Sequence, residues 1–254
     1  MQYSVDTAEE SLHFYCPFEK QALFGRQHCL TQSELHKYRM PPLNNYQVWH
    51  ATYQGSDYLP FRDRRIRVVL TIHDLNFLYD ERKSGPKKER YLRRLQRLID
   101  RADAIVCVSE YSRKDVYFHC NTYQKPVYTI YNGTNTLQEP FLQRHSYRPV
   151  LPFIFSLGTI SPKKNFHSLL PLVQNQSVEL MIAGPTTDES YRQYIHEQAS
   201  EMNVSNRVKL LGVISENEKS WYLNNCYAFA FPSTAEGFGL PVAEAMSVGK
   251  PLFL

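Results

Sequence analysis

The stretch Tyr227–Gly249, YAFAFPSTAEGFGLPVAEAMSVG, decides how the rest of the chain is read. Its apolar start, Tyr227–Phe231, suits a buried strand and passes into a loop of small residues that holds Glu236. Gly237 and Gly239 let the backbone approach a ligand closely. Pro241 then suits the first turn of a helix, because its fixed φ fits there and its missing N–H is not needed. That helix carries Glu244 and is expected to end at Gly249. Strand, glycine loop and helix start together make an anion site, since free N–H groups and the helix dipole point at whatever lies beyond the strand end. Glu236 and Glu244, eight residues apart, flank it.

Working outward, the residues before this stretch alternate between strand and helix patterns. Strands are expected at 153–157, 178–183, 207–211 and 227–231, with helices from about 166, over 191–202 and over 216–225. Such alternation implies a parallel, doubly wound α/β sheet. A further strand starts at Pro251–Leu254. Residues 134–152 lose periodicity and contain Pro140, Pro149 and Pro152, which places an inter-domain linker there and divides the chain into 1–148 and 149–254. In the first part, short strands are expected at Leu12–Cys16, Val48–Ala51, Val68–Ile72, Ala104–Val108 and Val127–Tyr131, and Ser109-Glu110 opens a helix. His73 stands at the end of a strand, where a parallel sheet presents side chains to a ligand. Residues 17–46 show no clean periodicity.

Composition limits the functional classes. A chain of 254 residues with 43% hydrophobic content buries a sizeable core, as one large domain or two small ones. A net charge of +4 suits acidic small molecules or an anionic membrane face and is too mild to indicate nucleic acid. Five cysteines, odd in number and without C-x-x-C spacing, read as buried free thiols in a reducing cytosol. No signal peptide and no apolar run of membrane-spanning length is present, so a cytoplasmic protein is expected.

Residues 81–102, ERKSGPKKERYLRRLQRLIDRA, are the most basic segment, with nine Lys or Arg against three acids. Tyr91, Leu92, Leu95, Leu98, Ile99 and Ala102 recur at helical spacing, which leaves the cations of a helix over 86–102 on the other face. That face is either solvated or docks peripherally on anionic lipid headgroups. The loop Gly158-Thr159-Ile160-Ser161-Pro162-Lys163-Lys164-Asn165 combines a glycine, two ammonium groups and a helix start, which suits a diphosphate. By itself it would equally be two surface lysines, and Glu236 by itself a solvated acid. No D-x-D occurs, so a carboxylate-held metal is not indicated.

The stretch Ser233–Gly249 resembles the E-x7-E signature of the retaining glycosyltransferases of family 4. Five further segments resemble that family in order: VVLTIHDL (Val68–Leu75), ADAIVCVSEYSRKDV (Ala102–Val116), YTIYNGTN (Tyr128–Asn135), FSLGTISPKKN (Phe155–Asn165) and LMIAGP (Leu180–Pro185). The resemblance implies the GT-B fold, two Rossmann-like domains facing across a cleft, with no cofactor or metal and a UDP- or GDP-sugar as donor. It also implies that Glu236 lies beside the donor sugar, Glu244 accepts from the ribose hydroxyls and Lys164 grips the diphosphate. Backbone N–H groups of Gly237, Phe238 and Gly239 would hold sugar hydroxyls, and His73 would lie near the transferred sugar. Gly158, Lys163 and Ser109 complete the expected donor site. Where family members often have an arginine, this chain has Thr159 and Lys163, so a bidentate clamp is lost or replaced by a point charge.

Two departures accompany the likeness. Nothing before Leu12 supplies the family's opening strand and glycine-rich loop, and the chain stops as a strand begins, so both domains are expected to be incomplete. The expected function is transfer of a hexose, mannose first, to a glycan or lipid-linked acceptor of a cell-surface polysaccharide or lipopolysaccharide. Two alternatives stand beside it: a remnant that binds nucleotide sugar without turnover, and a nucleotide-sugar 2-epimerase. The epimerase reading is disfavoured, because that type carries a glycine pair followed by paired glutamates where this chain has AEGFGLPVAE.

Overall fold

The computed structural model describes residues 11–80, 82–135, 137, 146–174 and 176–254, so part of the expected linker, Pro140 included, lies outside the described residues. By compactness the chain divides into two units. The first holds the residues up to Ile72 with Arg93–Val106 and Asn121–Tyr128; the second holds His73–Leu92, Cys107–Cys120 and Thr129–Leu254. This grouping joins the segments that follow two strands of the first sheet to residues 129–254.

Strand β1 (Phe14–Cys16) falls inside the expected Leu12–Cys16; within residues 17–46, where sequence gives no periodic signal, short 3-10 turns flank β2 (Cys29–Thr31), which pairs with β1 in parallel. The four-stranded sheet that follows is built of β3 (Val48–Ala51), β4 (Arg67–Ile72), β5 (Ala104–Cys107) and β6 (Val127–Thr129), side by side in that order. Strands β3 and β4 run parallel, with Val48 opposite Arg67 and Ala51 opposite Leu70. Alternate β4 residues Val68, Leu70 and Ile72 are fully buried, as the covered face of a sheet requires. Helix α1, Gly85–Arg101, buries Leu95, Leu98 and Ile99, the stripe its periodicity foretells. Its last residue, Arg101, departs from the expected basic face: it is only 3% exposed and donates to the carbonyls of Pro60, Asp63 and Ile66 at 2.7–2.8 Å.

The five-stranded sheet consists of β7 (Phe153–Leu157), β8 (Glu179–Ala183), β9 (Val208–Gly212), β10 (Ala228–Ala230) and β11 (Leu252–Phe253). Its spatial order is β11-β10-β7-β8-β9, and every neighbouring pair is parallel. Each residue of β8 is buried, the signature of a central strand. One face packs Phe166, Leu170, Ile195 and Val204 against Ile154 and Ile182; the other packs Tyr222, Leu223 and Ala245 against Phe155 and Phe229. Helix α2 (Glu110–His119) follows β5, and the helices covering the five-stranded sheet are α3 (Leu170–Gln174), α4 (Glu189–Glu201), α5 (Glu216–Asn225) and α6 (Leu240–Ser247). Asp188 caps α4 and Ser215 caps α5, the latter in a capping box with Glu218. The helix expected from about 166 is instead a 3-10 turn, Phe166–Leu169, that runs into the short α3.

All five cysteines are free thiols. Burial pushes Cys107 up to about 12 and Cys226 up to about 11, so these two are packing groups and not nucleophiles. Among the described residues no helix is long and apolar enough to cross a membrane.

Candidate functional site

In the five-stranded sheet, chain order runs outward in both directions from the boundary between β7 and β10. Connections from these two neighbours therefore diverge, and a doubly wound sheet opens a crevice at the carboxyl ends of such a pair. The two loops singled out in the sequence leave from that boundary. Residues 158–165 follow β7, and 231–239 follow β10. Thr234 clips them together, its N–H and hydroxyl donating to the Lys163 carbonyl at 3.0 and 3.2 Å.

Lys164 and Glu236 meet in an ion pair. The Lys164 ammonium stands 4.7 Å over the Phe231 ring and is largely buried, and the two charges neutralise each other. Lys163 goes elsewhere. In the tight turn Pro162–Lys164 successive side chains point about 120° apart. Lys163 accordingly lines a pocket of about 240 Å³ with Asp74, Asn76, Phe77, Asp80 and Arg82. Hydrogen bonds from Arg82 and Lys83 hold the Asp80 carboxyl well below the usual carboxylate range, and Arg82 also reaches Asp188 at 3.2 Å.

Glu244 is 2% exposed on α6. Its Oε1 accepts from the Lys219 ammonium at 2.9 Å, and Lys219 also pairs with Glu216 at 2.7 Å. Burial disfavours the Lys219 charge, but hydrogen bonds to Glu216 and Glu244 outweigh that and hold the ammonium above the ordinary lysine value. Helix α6 begins at Gly239, whose φ of 76° suits glycine, and no side chain caps its first turn. Within that turn Pro241 has no N–H, and the N–H groups of Val242 and Ala243 donate to the Gly239 carbonyl at 2.9 and 3.2 Å.

Gly237 is tied to the segments after β4 and β5, within the same compact unit. A Cβ on Gly237 would lie 2.2 Å from the His73 carbonyl oxygen, which only glycine permits. Ser109 caps α2 and donates to the Gly237 carbonyl, and Ser112 donates to the His73 carbonyl at 2.7 Å. Thus the Ser109 hydroxyl, expected to face a donor, already holds the glycine loop. His73 enters this arrangement through its backbone carbonyl. Gly158 is similarly pressed, since a Cβ on Gly184 would lie 2.1 Å from its carbonyl oxygen.

Three participants were not singled out from sequence: Lys219, Thr234 and Ser112. A lysine in a polar helix carries no mark of burial, and the two hydroxyls act on backbone groups that only the fold brings near. Ser233 adds a buried hydroxyl with no partner among the described residues. Among the described residues no group of His, Cys, Asp or Glu is arranged to hold a metal ion.

Two family profiles match the chain, "Glycosyltransferase Family 4" over residues 13–137 and "Glycosyl transferases group 1" over residues 142–254. The chain is 26% identical over 216 residues to O-antigen chain mannosyltransferase B of Escherichia coli, across 79% of this chain and 55% of that protein. It is 26% identical over 189 residues to O-antigen chain mannosyltransferase RfbU of Salmonella typhimurium, across 73% of this chain and 51% of that protein. The chain thus spans about half the length of these curated relatives. Among solved structures, Anabaena Alr3699/HepE in complex with UDP and glucose aligns with a TM-score of 0.61 at 22% identity, over 74% of this chain and 52% of that one, which shows a shared fold.

Proposed function

The chain belongs to glycosyltransferase family 4, with a GT-B type of fold, and from that premise we propose that it moves a hexose from a nucleotide-diphosphate sugar to a glycan or lipid-linked acceptor. The proposal includes retention of configuration, mannose as the first candidate sugar, and a place in cell-surface polysaccharide synthesis. Two relatives named as O-antigen chain mannosyltransferases support the sugar and the setting. A structural neighbour solved in complex with UDP and glucose supports a nucleotide donor. The division into acceptor-side residues 1–148 and donor-side residues 149–254 is part of the same reading.

The observation that carries it is the Lys164–Glu236 pair at the sheet's switch point, one helix away from the buried Glu244. Breaking a sugar–phosphate bond develops negative charge on the departing diphosphate and positive, oxocarbenium-like charge on the sugar. A donor entering the crevice separates the pair: Lys164 turns to the diphosphate and Glu236 to the sugar. Glu244 accepts from the ribose hydroxyls, and the N–H groups of Gly237, Phe238 and Gly239 face the sugar. Lys163, Gly158 and Ser109 act around this centre, Ser109 by holding the glycine loop in place, and His73 joins Glu236 as a catalytic candidate near the transferred sugar.

A screen of UDP- and GDP-sugars by thermal shift tests donor binding, and transfer of a radiolabelled hexose to lipid-linked saccharides tests turnover. Stabilisation by at least one donor, lost in Glu244→Ala and Lys164→Ala, is expected. Absence of any stabilisation of the wild-type chain sinks the proposal, and donor binding without transfer would favour a non-catalytic binding role. The proposal also keeps peripheral membrane contact through the exposed α1 cations Lys87 and Arg90. Sedimentation with anionic vesicles should fall when both are replaced by Glu.

A further inference from the structure

We propose that Lys219 is a positioning residue for the nucleotide, its ammonium keeping the buried Glu244 carboxylate ionised and aimed so that ribose hydroxyls find an acceptor. The inference rests on the reading of Glu244 as the ribose-binding group. A lone carboxylate as buried as Glu244 would pay a large desolvation cost in its charged form and would bind a proton instead. Among the described residues Lys219 is the one cation in ion-pair distance of it, at 2.9 Å. Helix α6 has no other charged residue, strand β10 beside it has none, and on α5 the remaining charged partner of the cluster is Glu216.

The geometry fits that task better than a simple tie between two helices. The Ser215 capping box starts α5 in a register that buries Lys219, Ser220, Tyr222 and Leu223 together. The stem of Lys219 is therefore held, and only 8% of the residue is exposed. Glu216, 80% exposed, secures the ammonium from the solvent side while Glu244 secures it from within. Two carboxylates thus share one ammonium, and the cluster keeps a net negative charge. Lys219 can fill at most one or two of the lone-pair sites of Glu244, which leaves acceptor capacity for hydroxyl donors.

The test is titration calorimetry of the 254-residue chain with UDP and GDP and with their 2′,3′-dideoxy forms, between pH 6 and pH 9. Wild type should prefer the ribonucleotide by roughly 10- to 150-fold, with little change across that range. In Lys219→Gln, which keeps a hydrogen-bond donor and removes the charge, the preference should fall below about threefold at pH 6–7 and recover towards pH 9. Lys219→Arg should retain it. A Lys219→Gln protein with the wild-type preference, flat in pH, overturns the inference while leaving the ribose reading intact. No ribose preference in wild type overturns both. If Lys219→Gln does not fold, lysine ¹³Cε resonances of the wild type decide: the Lys219 signal, assigned with Lys219→Arg, should move with the ribonucleotide and stay with its dideoxy form, and equal movement with both overturns the inference.

Discussion

Among the described residues each compact unit holds one cation no more than 8% exposed, and the two do different work. Arg101, at the end of α1, turns its planar fork to three backbone carbonyls of residues 60–66 and to Asp103 at 3.3 Å. Burial pushes its pKa down, and the partners it finds are mostly neutral. Lys219 finds two carboxylates, and they hold its pKa up. The arginine saturates peptide groups that a loop would otherwise bury unsatisfied, so its role is finished once the chain is folded. The lysine sets the charge of a group beside a candidate ligand site. A buried cation therefore reads as structural or functional by what it touches, and its burial alone does not tell.

Breaking the structural side should have the largest effect. Arg101→Ala strands three carbonyls and should cost about 3–5 kcal/mol in urea unfolding, with nucleotide affinity of the folded fraction unchanged. On the functional side, Lys164→Ala should weaken UDP or GDP binding by roughly 10- to 150-fold, the worth of one charge-assisted hydrogen bond, while thermal unfolding hardly moves. Gly237→Ala lies between the two kinds of effect. Its new Cβ would press on the His73 carbonyl oxygen at 2.2 Å, so a stability loss of about 1–3 kcal/mol and a weaker donor response should appear together.

The smallest effect is expected at Asp80. Its folded pKa lies below the unfolded value, so its contribution to stability is fully present above about pH 3.9 and is lost as pH falls through the folded pKa. Asp80→Asn should lower stability modestly at neutral pH, where the charged contribution is fully present, and flatten the further loss below about pH 4 in acid titrations followed by circular dichroism. An unchanged acid limb would mean that the Arg82 and Lys83 contacts are not kept in solution.

Elements long enough to repeat a period were legible. Strand 153–157 and helix 216–225 have the expected bounds, and α4 and β9 are shifted by no more than two residues at either end. Strand β1 falls inside the expected Leu12–Cys16, whereas β2, in the stretch without periodicity, has three residues, too few for alternation to register, and 3-10 turns carry no 3.6-residue stripe. The missing turn of helix at 166 follows from Asn165, whose φ of 53° breaks the backbone path just before it. At the site, the glutamates, the glycines and the adjacent lysines stood out because chemistry marks them. The divergence of Lys163 from Lys164 did not, since it depends on a turn that sequence did not disclose.

Local chemistry along the chain sufficed for the doubly wound five-stranded sheet and for the loops that carry charge, because period, turn residues and caps are written residue by residue. Tertiary structure alone decided which charges meet. Lys164 and Glu236 are 72 residues apart and Lys219 and Glu244 are 25 apart, yet each pair is in contact. Such pairings arise from strand order and helix packing, which bring together groups whose spacing in sequence says nothing of their distance. The burial that gives the second pair its strength is likewise a property of the packed sheet and of no single residue in it.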